Sequence, residues 1–92
     1  MKLRYTRRAA TELDQVLADI DRASPLGAAK VKRRLFEVML LLIDRPEAGQ
    51  ATSRGLRRFV AFPYPYVVFY RVETDWITIH AVRHAARRPL SD

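Results

Sequence analysis

Gly55-Leu-Arg-Arg-Phe59, Tyr64-Pro-Tyr-Val-Val-Phe-Tyr-Arg-Val72 and Trp76-Ile-Thr-Ile-His-Ala-Val-Arg-His84-Ala-Ala-Arg-Arg-Pro89 are the segments on which the fold turns. Tyr66 to Val72 is rich in β-branched and aromatic residues and suits a central strand. Leu56 to Phe62 reads as the strand before it. Pro63-Tyr64-Pro65 ends that strand, because proline removes a ladder donor and restricts its predecessor. Glu73-Thr74-Asp75 is a short hairpin connection into a third strand, Trp76 to Arg83. Connections this short predict antiparallel pairing throughout.

Upstream, the period changes from two to between three and four. Lys2 to Tyr5 alternates polar and apolar residues and can form a short strand. Ala9, Leu13, Val16, Leu17 and Ile20 then recur at helical steps, with Glu12, Asp14, Asp19 and Asp21 on the flanks. Ser24-Pro25 stops this helix and starts the next, serine as N-cap and proline at the first helical position. The second helix runs from about Pro25 to Asp44 with the stripe Ala28, Val31, Leu35, Val38, Met39 and Leu42, and Glu47 to Arg54 reads as a polar loop. Two helices covering one face of a sheet make an α+β fold of two layers, in the order strand, helix, helix, strand, strand, strand.

At 92 residues the chain has room for one domain with a modest core. The net charge of +7 and pI near 10.6 point to an acidic partner, whether nucleic acid, an anionic membrane or an acidic protein segment, or else to a well-solvated basic surface. With no cysteine, neither disulfides nor a thiolate zinc site can form. The longest apolar run, Val38 to Ile43, falls far short of the roughly 20 residues that span a bilayer. Met1-Lys-Leu-Arg-Tyr5 lacks the apolar core of a signal peptide. These features predict a cytoplasmic protein with no membrane partner.

Two helical features exceed what the core needs. Leu40 and Leu41 lie roughly opposite the main stripe, so the helix end either tucks under a loop or offers a docking surface. Lys30, Lys32, Arg33 and Arg34 form a basic cluster with only Glu37 nearby, which is either a solvated face or a seat for an acidic segment.

The chemistry-bearing residues are few. His80 and His84 share a side if they sit in one regular strand, but no third ligand stands nearby, so no metal site is expected. No glycine-rich phosphate loop and no nucleophile elbow occurs, and no cofactor is expected. Metal-free RNA cleavage needs a general base, a proton donor and cations for the developing phosphorane charge. His84 with Arg83, Arg87 and Arg88 supplies part of that set; a structural histidine at a strand end is the plainer alternative.

Arg57-Arg58, Pro63 and Pro65, Tyr66 to Val72, Ile77-Thr-Ile79, His84-Ala-Ala-Arg-Arg-Pro89 and the Pro46-Glu-Ala-Gly49 turn together resemble the ParE branch of the RelE/ParE toxin superfamily. The resemblance covers nearly the whole chain, though no single motif is diagnostic. It implies a plasmid-stabilisation toxin neutralised by an acidic, ParD-like antitoxin that wraps it, with Leu40, Leu41, Lys30, Arg33 and Arg34 as the expected antitoxin contacts. ParE-like members poison DNA gyrase, which makes Arg83, His84, Arg87 and Arg88 the expected target-binding residues. RelE-like members are ribosome-dependent mRNA endoribonucleases. These carry an arginine where this chain has Val67, and tend to have a tyrosine or further catalytic cations just past the last strand, where Ala85 and Ala86 follow His84 here. His84 is similar to the histidine of some ribonuclease relatives, so His84 and Arg83 would be the catalytic pair of that alternative. A nucleic-acid-binding module is a third, weaker reading, carried by charge alone.

Overall fold

The computed structural model describes residues 1–86, so Arg87 and Arg88 lie outside the described residues. The chain runs β1 (Lys2–Tyr5), α1 (Arg7–Ala23), α2 (Pro25–Asp44), β2 (Gln50–Ala51), β3 (Arg57–Val60), β4 (Tyr66–Val72) and β5 (Trp76–His84). The strands form one sheet in the order β1-β5-β4-β3-β2. Strands β2 to β5 pair antiparallel, as the short connections require. Strand β1 joins the far edge parallel to β5, with Lys2 to Tyr5 opposite Trp76 to Ile79. The expected two-layer α+β architecture is present. No helix among the described residues is long and apolar enough to cross a membrane.

Local chemistry sets the helix ends. The Thr6 hydroxyl accepts the Ala9 N–H at 3.0 Å and caps α1. Ser24 serves both helices: its N–H donates to Ile20 O at 2.8 Å, closing α1, and its hydroxyl accepts the Gly27 N–H at 2.9 Å, opening α2. Pro25 lies in the first turn, where its missing N–H costs no hydrogen bond. All six apolar residues of the predicted α2 stripe are buried. Of the α1 stripe, Ala9 is fully buried, while Leu13, Leu17 and Ile20 pack partly buried against the same cluster.

The sheet departs from the expected pattern in two places. Gln50 and Ala51, read as loop, pair with Arg58 and Arg57 as a two-residue edge strand. Such a short element is held by backbone bonds and leaves no side-chain period to read. In β5, Phe69 faces Ala81 while Tyr70 faces Ile79, so His80 is an extra residue in a bulge. The bulge resets the alternation, and Val82, rather than Ala81, joins Ile77 and Ile79 in the core. It also separates the two histidines. His80 sits near Arg71 and Glu73, whereas His84 packs against Tyr66, so the expectation that they share a side fails.

Tyr70 ties the sheet to the loop after α2. Its ring is fully buried, its hydroxyl donates to Pro46 O at 2.7 Å, and it accepts the Gly49 N–H at 2.8 Å. A Cβ at Gly49 would come within 2.5 Å of that oxygen, so the close approach requires glycine. Burial raises the Tyr70 pKa above its ordinary value, against the opposing effects of the Gly49 bond and the Arg57 charge.

Across the sheet from the helices, Lys2 and Arg4 lie over the Trp76 ring, at 5.5 and 4.7 Å from its centroid. Arg4 also donates to the Thr78 hydroxyl at 3.1 Å, and that hydroxyl donates to Glu73. The Thr78 bond is the main reason that the Glu73 carboxyl titrates below its usual range. Burial, then the neighbouring Arg71 charge, pushes His80 down. The cations over Trp76 are therefore engaged within the fold.

Leu35→Ala is expected to cost about 2–5 kcal/mol, and Ile20→Ala less because Ile20 is partly exposed. Tyr70→Phe is expected to cost about 1–3 kcal/mol, since it leaves the Gly49 N–H and Pro46 carbonyl without their partner. Urea denaturation of the three variants checks the ranking.

Candidate functional site

Strand β5 extends past the end of β1, whose last pairing is Tyr5 with Ile79. Beyond that point the edge of β5 lies beside α1. A groove of about 560 Å³ opens there, lined by Thr11, Glu12, Gln15, Val16 and Asp19 of α1 with Tyr66, Arg83 and His84. Sequence reasoning named Arg83 and His84, and the fold brings them together here. It gave Glu12 and Tyr66 no part in a site.

Glu12 organises the groove floor. One carboxylate oxygen accepts the Val82 N–H at 3.0 Å, satisfying a backbone donor just past the reach of β1. The other accepts from Arg83 Nε at 3.2 Å and lies 3.1 Å from Arg83 Nη2. Arg83 is only 6% exposed. Its Nη2 lies off the hydrogen-bond direction to Glu12, in spite of the short distance, and has no aligned partner among the described residues. The distance defines an ion pair, and the alignment shows that only Nε makes a directed bond. The buried guanidinium is thus held and charge-compensated by Glu12, with Arg8 as a second, exposed cation 3.5 Å from the same oxygen.

His84 is exposed and differently placed. Its ring stands edge-on to Tyr66, with centroids 5.4 Å apart and planes at 85°. Its Nδ1 accepts the Ala86 N–H at 3.0 Å. A nitrogen that accepts carries no proton, so in the neutral ring the proton resides on Nε2. The imidazole therefore presents a donor at its free nitrogen. Proton abstraction through that nitrogen would first require the other tautomer. Val67, at the position that resembles the ribonuclease arginine, is 3% exposed and opposes Arg83 in the β4–β5 register.

The residues expected to meet an antitoxin lie on α2. Lys30, Arg33 and Leu40 are exposed. Arg34 is partly buried, donating to Phe62 O at 2.7 Å and to Glu37 at 3.3 Å. Leu41 is half-buried, whereas Leu26 and Phe36, which sequence reasoning passed over, are exposed. Among the described residues no group of three or more histidine, aspartate or glutamate side chains is arranged to hold a metal ion.

The sequence matches the family described as ParE toxin of type II toxin-antitoxin system, parDE, over residues 3–89. It is 36% identical over 83 residues to Toxin RelE2 of Caulobacter vibrioides, covering 90% of this chain and 93% of that protein. Its fold is similar to a solved chain from the chromosomal ParDE TA system of P. aeruginosa, with a TM-score of 0.78 and 25% identity. That match covers 91% of this chain and 95% of the other.

Glu12→Gln retains an acceptor for the Val82 N–H but strips the charge that compensates Arg83. It is expected to cost about 3–5 kcal/mol, and Glu12→Gln combined with Arg83→Met should recover most of that loss. A double-mutant cycle by chemical denaturation measures the coupling.

Proposed function

The chain belongs to the ParE toxin family of type II toxin–antitoxin systems, and from that membership we propose that it arrests growth by binding and poisoning DNA gyrase. A cognate acidic, ParD-like antitoxin silences it. The observation that carries this reading is the state of Arg83, the strand's one buried cation beside the groove. Phosphodiester cleavage without metal needs cations within reach of the substrate, preorganised to meet charge that develops in the transition state. The Arg83 guanidinium is instead buried and already paired with Glu12. Val67 supplies no charge at the neighbouring position, and the His84 ring offers a donor rather than a base. A groove with these properties suits recognition of a protein surface, where shape, an exposed imidazole donor and the Tyr66 ring suffice and no proton has to move.

RelE-like cleavage of mRNA is the competing reading, and the exposed His84 ring is the observation that favours it. The two differ in what they ask of His84 and of Arg87 and Arg88. A target-binding segment needs the arginine charges, which can clamp carboxylates or phosphates. A ribonuclease needs the imidazole. Replacing Arg87 and Arg88 together by alanine is expected to weaken growth inhibition strongly, and His84→Gln only mildly. The reverse ranking would support the ribonuclease, because losing a general acid or base typically costs about 10²–10⁴-fold in rate. Growth curves at matched expression, with each variant first shown to be folded, make the comparison.

A further inference from the structure

Tyr66 and Val72 are the two ends of β4, so roughly 20 Å of strand separates the groove at Tyr66 from the far end of the sheet. A second crevice, of about 650 Å³, opens at that far end, between the turn that follows α2, the start of β3 and Met1. Its apolar lining is Met1, Pro46, Ala48 and Val72. Met1 is 49% and Val72 37% exposed, so this apolar surface faces solvent. The wall of the crevice is fixed. The Tyr70 hydroxyl holds the Pro46 carbonyl and the Gly49 N–H, Arg57 Nη1 donates to Gly49 O at 2.7 Å, and the Ala48 N–H donates to Arg45 O at 3.0 Å. Four hydrogen bonds thus set the shape of the turn, and the crevice is preformed.

Charge selects the ligand. Arg57 is half-buried, and only part of its guanidinium is used on Gly49 O. No carboxylate among the described residues pairs with it. Asp44 and Glu47 are both exposed, where water and salt screen them, so Arg57 dominates inside the crevice. Arg45 also lines it, and its 3.7 Å contact with Asp44, both side chains largely exposed, is a surface pair that a ligand can replace. A half-buried guanidinium with unused donors is desolvated without a counter-charge, and a carboxylate offsets that with paired charge-assisted hydrogen bonds. Inorganic phosphate matches the cation but leaves the apolar lining wet. A hydrocarbon covers the lining but buries the guanidinium further without a partner. A ligand that carries both an apolar body and an acid satisfies both.

We propose that the crevice between the turn after α2 and the end of β4 binds a small amphipathic carboxylate, with Arg57 as the anion contact and Met1, Pro46, Ala48 and Val72 around the apolar body. Arg45 closes over the acid from the solvent side. Two sources have this chemistry, a free organic acid and the C-terminal residue of a polypeptide. The site stands apart from the groove of Arg83 and His84, and holds whichever target that groove takes.

The experiment titrates the isotopically labelled full chain with phenylbutyrate, phenylbutyramide and phenylbutylamine, and follows backbone amides by NMR. Phenylbutyrate is expected to shift the Gly49, Arg57 and Val72 amides saturably, with a dissociation constant on the order of 1 mM. The amide and the amine should bind at least about tenfold more weakly. N-acetyl-glycyl-leucine and its C-terminal amide form the peptide arm. Preference for the acid in both arms supports the site, and whichever acid binds several-fold tighter names the source. Arg57→Met should abolish the preference for acid over amide. Because Arg57 also braces Gly49, two further variants serve if that one does not fold. Arg57→Lys should keep part of the preference, and Val72→Glu, which sets a carboxylate in the crevice, should weaken phenylbutyrate binding by about tenfold. Three results overturn the proposal: no saturation by either acid at about twenty times the expected constant, acid, amide and amine binding within about twofold of one another, or shifts centred on Tyr66 and His84.

Discussion

Glu12 is the constraint on which the site depends. A single carboxylate on α1 closes the backbone edge of β5 beyond the reach of β1 and compensates a guanidinium that would otherwise be buried alone. Burying an arginine without a partner costs several kcal/mol, so the position of α1 over β5 and the fate of Arg83 are one problem with one solution. The bulge at His80 is part of it. By resetting the alternation it turns Val82 into the core and brings Tyr66 and His84 opposite each other at the mouth of the groove.

The same arrangement divides the molecule's charge into two kinds. Arg83 and Arg4 are consumed inside the fold, one by Glu12 and the other by Trp76, Thr78 and Glu73. Lys30, Lys32 and Arg33 remain on the surface of α2. The net charge of +7 therefore says little about the groove, where Arg83 is paired with Glu12. This is why one small domain can present two unlike surfaces: a groove with an aromatic ring and an imidazole donor, and a basic helix with an apolar ridge.

Much of the fold was legible because its determinants are local. The α2 stripe from Ala28 to Leu42, the Ser24-Pro25 corner and the β-rich run from Tyr66 to Val72 each follow from neighbours within a few positions. The features missed are those that only tertiary packing decides. Gln50 and Ala51 became a strand because β3 offered them an edge. Glu12 and Arg83 are 71 positions apart, and nothing in either segment announces the other. On α2, Leu41 and Phe36 lie equally far to either side of the buried arc, yet Leu41 is half covered and Phe36 exposed, a difference that helical period alone does not give. The histidines were expected on one side because a regular strand puts them there; the bulge, which no residue type at 80 or 81 demands, put them on different sides.

If the site binds DNA gyrase, as proposed, and does not cleave RNA, two assays run side by side separate the outcomes. Purified toxin is incubated with DNA gyrase and supercoiled plasmid, and in parallel with programmed ribosomes, each at the same toxin concentration. Gyrase-dependent DNA cleavage or loss of supercoiling is expected, with mRNA left intact on the ribosome. Site-specific mRNA cleavage that disappears in His84→Gln, with gyrase unaffected, would contradict it.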